Sequence, residues 1–206
     1  MTQAIVYNEA THPYMASRRP NSGFFIRTPE AKGWRVAHGR GRAILDHLPE
    51  RSPIWGLELG VNEGYLSHHL LCNRPDLFMF MVDCWRKEKN LIAMGLAINM
   101  TYPFEGRRHI VRAVSAEAAK LFPDGVLDFV FIDADHSYED VKHDIQVWRP
   151  KLRPGGLLCG HDMHIGQTRK AVEELVPGYT TGEDSTWFAP VEGEDEQAGE
   201  GVGVDG

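Results

Sequence analysis

Three cysteines, Cys72, Cys84 and Cys159, are all that the 206 residues contain, and no two stand at the spacing of a zinc-binding pair. Neither a disulfide framework nor a zinc ribbon is expected, and a reducing compartment suits such usage. Long apolar runs are also lacking. The stretch "LFMFMV" at 77–82 is among the longest, far short of the roughly 20 residues that cross a bilayer. No signal-peptide pattern opens the chain, so a cytoplasmic protein without a membrane partner is expected. A basic excess is missing as well: the net charge is −7, and the last sixteen residues hold six acids and no Lys or Arg. Setting those aside leaves 22 basic against 23 acidic residues in the body, too even a balance for phosphate-backbone binding.

What is present is 42% hydrophobic content, enough for one domain with a real core. The predicted organisation is a single domain over 1–190, opening with an irregular Arg- and Pro-bearing segment at 1–34. The stretch 191–206 is expected to be an acidic, Gly-rich, disordered tail, since it has little apolar surface to offset the entropy of ordering. Between them, strand and helix signals alternate. A helix is predicted through "WRVAHGRGRAILDHLPE", then a strand at "IWGLELG", a helix at "YLSHHLLCNR" and a second strand at "DLFMFMVD". A helix at "EKNLIAMGLAINM", a strand at "RHIVRA", a helix at "SAEAAKLF" and a fourth strand at "VLDFVFID" follow. Ser137 and Asp140 are spaced as a capping box for the next helix, Pro150 closes it, and "GGLLCGHD" is the fifth strand. This alternation predicts an α/β, Rossmann-like, doubly wound sheet, mostly parallel, with helices on both faces. Its ligands would bind at the carboxyl ends of the strands.

Chemistry-bearing residues gather at those ends. The first loop, "LELGVNEG", offers Gly60 and Gly64 for a sharp turn and close backbone approach, with Glu58 two residues before the turn. Asn62 stands where a dinucleotide fingerprint needs its second glycine, so a pyrophosphate cradle is not formed. A negative Glu58 suits a cationic ligand instead. Asp83 ends the second strand twenty-three residues after Gly60, near the place where an acid takes both hydroxyls of a ribose. The two features together suit an adenosine without phosphates.

"LELGVNEG", the acid of "MVDCW", Ser115 in "RAVSAEA" and "FIDADHSYEDVKHDI…LRPGGLLCGHD" resemble class I S-adenosylmethionine-dependent methyltransferases over residues 40–190. The resemblance implies a seven-stranded sheet and S-adenosylmethionine as cofactor. It places Glu58, Gly60, Asn62 and Gly64 at the methionine part, Asp83 at the ribose, Ser115 near the adenine and Asp133 beside the sulfonium. Trp85 would be either an adenine stacker or a core aromatic.

Within the family the likeness is to small-molecule O-methyltransferases of the catechol O-methyltransferase type. This implies a small-molecule hydroxyl acceptor, a divalent metal such as Mg or Mn held by Asp133, His161 and Asp162, and His136 as general base. A metal-bound hydroxyl loses its proton more readily, and imidazole exchanges protons near neutral pH. His161 departs from the usual carboxylate there, so the site is either tuned away from magnesium or uses His161 as base or donor without an ion. "DADHSY" lacks the Asn/Asp-Pro-Pro-aromatic run of adenine-amine methyltransferases, and nucleic acid is not an expected partner; a homodimer is. A non-catalytic binding module, or transfer to a nitrogen or a macromolecule, is the alternative. Asp135 is expected to shield a helix start, His164 to be a solvated loop residue, and Arg18, Arg19, Arg27, Arg35, Arg40 and Arg42 to be solvated.

Overall fold

The computed structural model describes residues 32–86 and 88–192. The expected irregular start and acidic tail lie outside these residues, apart from the positions where they overlap at 32–34 and 191–192. Helix α1 (Lys32–His47) comes first; β1 (Ile54–Leu59), α2 (Tyr65–Asn73) and β2 (Leu77–Asp83) follow. Next are α3 (Glu88–Thr101), β3 (Arg108–Arg112), the short α4 (Ser115–Ala119) and β4 (Leu127–Ile132). The chain continues with α5 (Tyr138–Trp148), β5 (Leu152–Gly160), α6 (Gly166–Leu175), β6 (Thr180–Thr181) and β7 (Trp187–Pro190). The strands form one seven-stranded sheet in the order β3-β2-β1-β4-β5-β7-β6. β1 to β5 pair in parallel, and β7 runs antiparallel to both β5 and β6. The expected Rossmann-like architecture is therefore the observed one. The first helix starts two residues earlier than "WRVAHG", and it ends at His47, before Pro49 would remove a donor from the ladder.

Burial on both faces follows from the period of two. In β4 every residue is buried. Val130 and Ile132 pack with Val141, Ile145 and Trp148 of α5 and Val172 of α6. Phe129 and Phe131 pack on the other side with Ile44 of α1 and Leu66 and Leu70 of α2. A strand clamped in this way has fixed ends, and the order of strands reverses between β1 and β4. The crevice at that reversal is where an open α/β sheet takes its ligand.

The turn leaving β4 is fixed by its own side chains. Asp135 Oδ1 accepts the backbone N–H of His136 at 2.8 Å and of Ser137 at 3.1 Å. Ser137 then caps α5 by accepting from the Asp140 N–H at 3.2 Å. The predicted box is half made, because Asp135 and not Asp140 takes the Ser137 N–H; the Asp140 carboxylate accepts from the Ser137 hydroxyl at 2.5 Å. His136 is thus held between a loop clamp and a helix start. Ser137→Ala should cost about 1 kcal/mol, read as a lower urea midpoint at unchanged slope; Ser137→Asp, which also caps, should retain most of the stability.

Candidate active site

The carboxyl ends of β1, β2 and β4 open into a cleft of about 500 Å³, within the range that encloses a small organic ligand. Its floor is set by Gly60, at φ +91°, where a Cβ would lie 2.0 Å from the carbonyl oxygen of Asp133. Only glycine fits there. The Gly60 N–H donates to Val82 and the Asp133 N–H to Leu59, both at 2.8 Å. The loops after β1, β2 and β4 are thereby laced together. Asp83 is fixed in the same way: one carboxylate oxygen accepts from the Asn62 N–H at 2.9 Å and the other from the Trp85 N–H at 2.8 Å. Each oxygen keeps a lone pair for a hydroxyl. Trp85 is 1% exposed and its indole N–H donates to the Asn62 carbonyl at 3.0 Å. It is the core aromatic of the two expected roles, and it ties the two loops from below.

Glu58 lies at the end of β1, 3% exposed, accepting a short hydrogen bond from the Ser67 hydroxyl. Burial pushes its carboxyl up to about 8, against the opposing Ser67 hydrogen bond, with the Asp133 charge adding to the rise. At neutral pH the group holds its proton, which corrects the expectation of a standing negative charge. Gly64, at φ +82°, precedes α2, and a Cβ there would meet the Ala97 Cα of α3 at 2.9 Å. Its demand for glycine comes from helix packing, and it stands apart from the cleft lining formed by Gly60, Asn62 and Asp83. At the other end of the cleft, Ser115 opens α4, and its hydroxyl oxygen accepts from the Trp148 indole at 2.9 Å. Asp144 lines the same end, and burial raises its carboxyl to about 6 while the Ser115 hydrogen bond acts to lower it.

Asp133, Ala134 and Asp135 form a shared wall between this cleft and a smaller cavity that also includes His136, His161 and Asp162. Asp133 follows β4, and His161 and Asp162 follow β5; each offers a ligand atom, all within 4.8 Å of one another. Asp162, at φ +66°, sits between two imidazoles. His161 Nδ1 lies 2.8 Å from one carboxylate oxygen and His136 Nδ1 3.0 Å from the other. Burial acts to raise the Asp162 carboxyl, but the His161 hydrogen bond and the neighbouring imidazoles outweigh it and hold the group below its usual range. On His161 burial acts downward, yet the hydrogen bonds to Asp133 and Asp162 carry the ring up to about 9. Its Nδ1 proton faces both acids in either state. Nε2, 3.1 Å from an Arg40 nitrogen, accepts from the guanidinium when the ring is neutral, and faces Asp184 at 3.6 Å when it is charged.

Arg40 is the residue that the sequence did not single out. Expected on the surface, it reaches from α1 into the site with its side chain 13% exposed. It donates to Asp133 Oδ2 at 2.6 Å and to Asp184 Oδ2 at 2.9 Å. The one signal available was the pair of glycines beside it in a helix-permissive stretch. Gly41 allows α1 to lie so near α2 that a Cβ would be 2.4 Å from the His69 ring. Arg42 is exposed as expected, as is His164; Arg18, Arg19 and Arg27 and the Arg35 side chain lie outside the described residues.

The family model described as "Methyltransferase domain" matches residues 57–163, from the middle of β1 to just past β5. The chain belongs to the methyltransferase domain family. S-Adenosylmethionine is the cofactor that this family implies; the cleft is lined by the doubly anchored Asp83 carboxylate and the Gly60 turn. The chain is 30% identical over 121 residues to the uncharacterized protein y4gI of Sinorhizobium fredii, covering 53% of this chain and 13% of that relative. The chain thus spans only a small part of the length of the curated relative it matches. A candidate S-adenosyl-L-methionine-dependent methyltransferase of Methanococcus maripaludis has the same fold. Its TM-score is 0.62 at 13% identity, over 82% of this chain and 91% of that one. Precorrin-6y C5,15-methyltransferase of Geobacter metallireducens aligns at TM-score 0.53 and 16% identity, over 68% and 70% of the two chains. Spermidine synthase of Thermotoga maritima aligns at TM-score 0.50 and 18% identity, over 70% and 54%. Folds shared this widely do not identify the acceptor.

Asp133, His161 and Asp162 come together as the metal-type resemblance implies, and their oxygen and nitrogen atoms are of the kind a divalent ion takes. The chain keeps a guanidinium among them, however, 2.6 Å from Asp133 and 3.1 Å from His161. An ion bridging the three would lie against a fixed positive charge. With Arg40 in place the residues do not fit a divalent metal, and no step is derived through one.

The raised Glu58 carboxyl has a measurable consequence. Because the folded value exceeds the ordinary one, the stability contributed by its proton is complete below 4.5 and is lost as pH rises through about 8. Glu58→Gln should therefore gain on the parent as pH increases, the difference in Tm widening by at least about 2 °C between about pH 5 and about pH 9. A difference that stays flat across that range would show that Glu58 is ionised in the folded protein.

Proposed function

We propose that the methyltransferase transfers a methyl group from S-adenosylmethionine to a hydroxyl of a small molecule, with His136 as general base and Asp162 as its orienting partner. The observation that carries this reading is the 3.0 Å contact between His136 Nδ1 and Asp162 Oδ2, beside the wall shared with the cleft. An Nδ1–H turned toward that carboxylate would leave Nε2 as the acceptor for a substrate proton. Asp133, Ala134 and Asp135 line both spaces, so the base would stand one turn away from the donor end of the cleft. The roles in donor binding are those the resemblance implied. Glu58, Gly60 and Asn62 take the methionine part, Asp83 the ribose hydroxyls and Ser115 the adenine end, while Gly64 acts through the fit of α2 to α3.

In the reaction the acceptor's hydroxyl proton passes to His136 Nε2 as its oxygen forms a bond to the methyl carbon. The electrons of the breaking carbon–sulfur bond go to sulfur and leave neutral S-adenosylhomocysteine. The charge balances: the sulfonium cation is consumed and an imidazolium appears beside Asp162. That carboxylate, already held below its usual range by imidazoles, is suited to stabilise it.

Calorimetry with S-adenosylmethionine, followed by methyl-label transfer to a panel of phenols, sugars and polyketide alcohols, tests the proposal. Label should appear in base-stable ethers. His136→Ala should lower turnover by about 100-fold or more with cofactor affinity within about twofold of the parent. Asp83→Ala should weaken cofactor binding by about tenfold or more, the loss of one or two charged hydrogen bonds. Label found only on nitrogen, or equal effects of the two changes on cofactor affinity, would overturn this division of labour.

A further inference from the structure

We propose that Arg40 is the built-in cation of the acceptor site, standing where a divalent ion would bridge Asp133, His161 and Asp162 and making methyl transfer independent of metal. This rests on the reading of those residues as the acceptor end. Two nitrogens of one planar guanidinium donate to carboxylates from different turns, NH1 to Asp133 and Nε to Asp184, while NH2 lies 3.1 Å from His161 Nε2. These partners come from the turns after β4, after β5 and before β7. A rigid fork of donors suits such divergent contacts, which an ammonium on a flexible stem would not reproduce.

Both sides of the contact are shaped for it. On one side, Gly41 removes the side chain that would hold α1 away from His69, since a Cβ there would stand 2.4 Å from the ring. Two glycines flanking Arg40 in the middle of a helix weaken that helix, and a close approach accounts for one of them. On the other side, Asp184 and Ser185 take φ +54° and +56°, a conformation that non-glycine residues adopt at a cost. That turn points the Asp184 carboxylate at the guanidinium.

The consequence is electrostatic. Asp133 and Asp184 share one fixed positive charge, and the position that an incoming dication would need is already cationic. Like charges at contact distance in a partly buried site repel strongly and are little screened by salt. Removing the guanidinium leaves two carboxylates and an imidazole within 4.8 Å, a donor set that then attracts an ion.

Mn²⁺ titration of the full chain, followed by electron paramagnetic resonance and calorimetry, distinguishes a resident arginine from a metal site. The parent should show no Mn²⁺ binding up to ~1 mM, the weak end of protein divalent sites, and methyl transfer should be unchanged in excess EDTA. Arg40→Ala should bind one Mn²⁺ at least about tenfold more tightly than 1 mM, a gain of about 1.4 kcal/mol or more, and Arg40→Lys should bind none. S-adenosylmethionine binding by each variant reports its folding. If Arg40→Ala does not bind the cofactor, Arg40→Met takes its place and the parent titration still decides. Micromolar Mn²⁺ binding by the parent, loss of transfer in EDTA, or a folded Arg40→Ala that binds no Mn²⁺ would each overturn the proposal. Failure of the hydroxyl reading would look different, as label on another atom with the Mn²⁺ pattern unchanged.

Discussion

The contact on which the site depends is between backbone and backbone: Gly60 against the carbonyl of Asp133. A Cβ at Gly60 would be 2.0 Å from that oxygen, so the turns after β1 and β4 meet at a distance that no other residue allows. The cleft and the small cavity lined by His136, His161 and Asp162 share Asp133, Ala134 and Asp135 because of it. The sheet enforces the approach: the Leu59 carbonyl accepts from the Asp133 N–H, and β1 and β4 are paired residue by residue up to Leu59 and Ile132. Parallel strands buried on both faces hold their ends rigidly, and side chains placed one residue beyond those ends inherit that rigidity.

Rigidity at the strand ends concentrates acids, and each is compensated in a different way. Asp83 is satisfied by two backbone N–H groups, Asp133 by a guanidinium and Asp162 by imidazoles on both of its oxygens. Glu58 has Ser67 as its hydrogen-bond partner, and burial outweighs it and raises the carboxyl. Burying a charge is costly unless a partner cancels it, so the four outcomes follow from what each loop can deliver. Asp135, which the sequence left as a general shield for a helix start, has a specific task. It holds the His136 and Ser137 N–H groups and so sets where the imidazole emerges.

Much of this was legible in the chain because it is local. The apolar run of β4, the glycine turn after β1, the Ser137 cap and the acids near the ends of β1, β2, β4 and β5 all act within a few positions, and the architecture follows from their order. The strand pair β6 and β7 was not legible from pattern, since two and four residues are too few to show a period. Arg40 was hidden for another reason. It lies 93 residues from Asp133 and 144 from Asp184, and nothing near it distinguishes one arginine from its neighbours until α1 is docked. Trp85 was ambiguous because an aromatic after a strand is equally suited to packing beneath a loop and to stacking on a ligand; its single donor, turned to Asn62, settles its place.

With Glu58 in the proposed place beside the donor's cation, its raised carboxyl would link cofactor binding to proton release. At the end of β1, burial favours the neutral acid, and the Asp133 charge acts in the same direction. A cationic group brought to the same place reverses the balance, because an opposite charge within a few ångström favours the ionised form. A ligand that carries such a cation therefore binds most strongly to the ionised protein, and by linkage it draws the proton off. A neutral analogue gains nothing from that exchange.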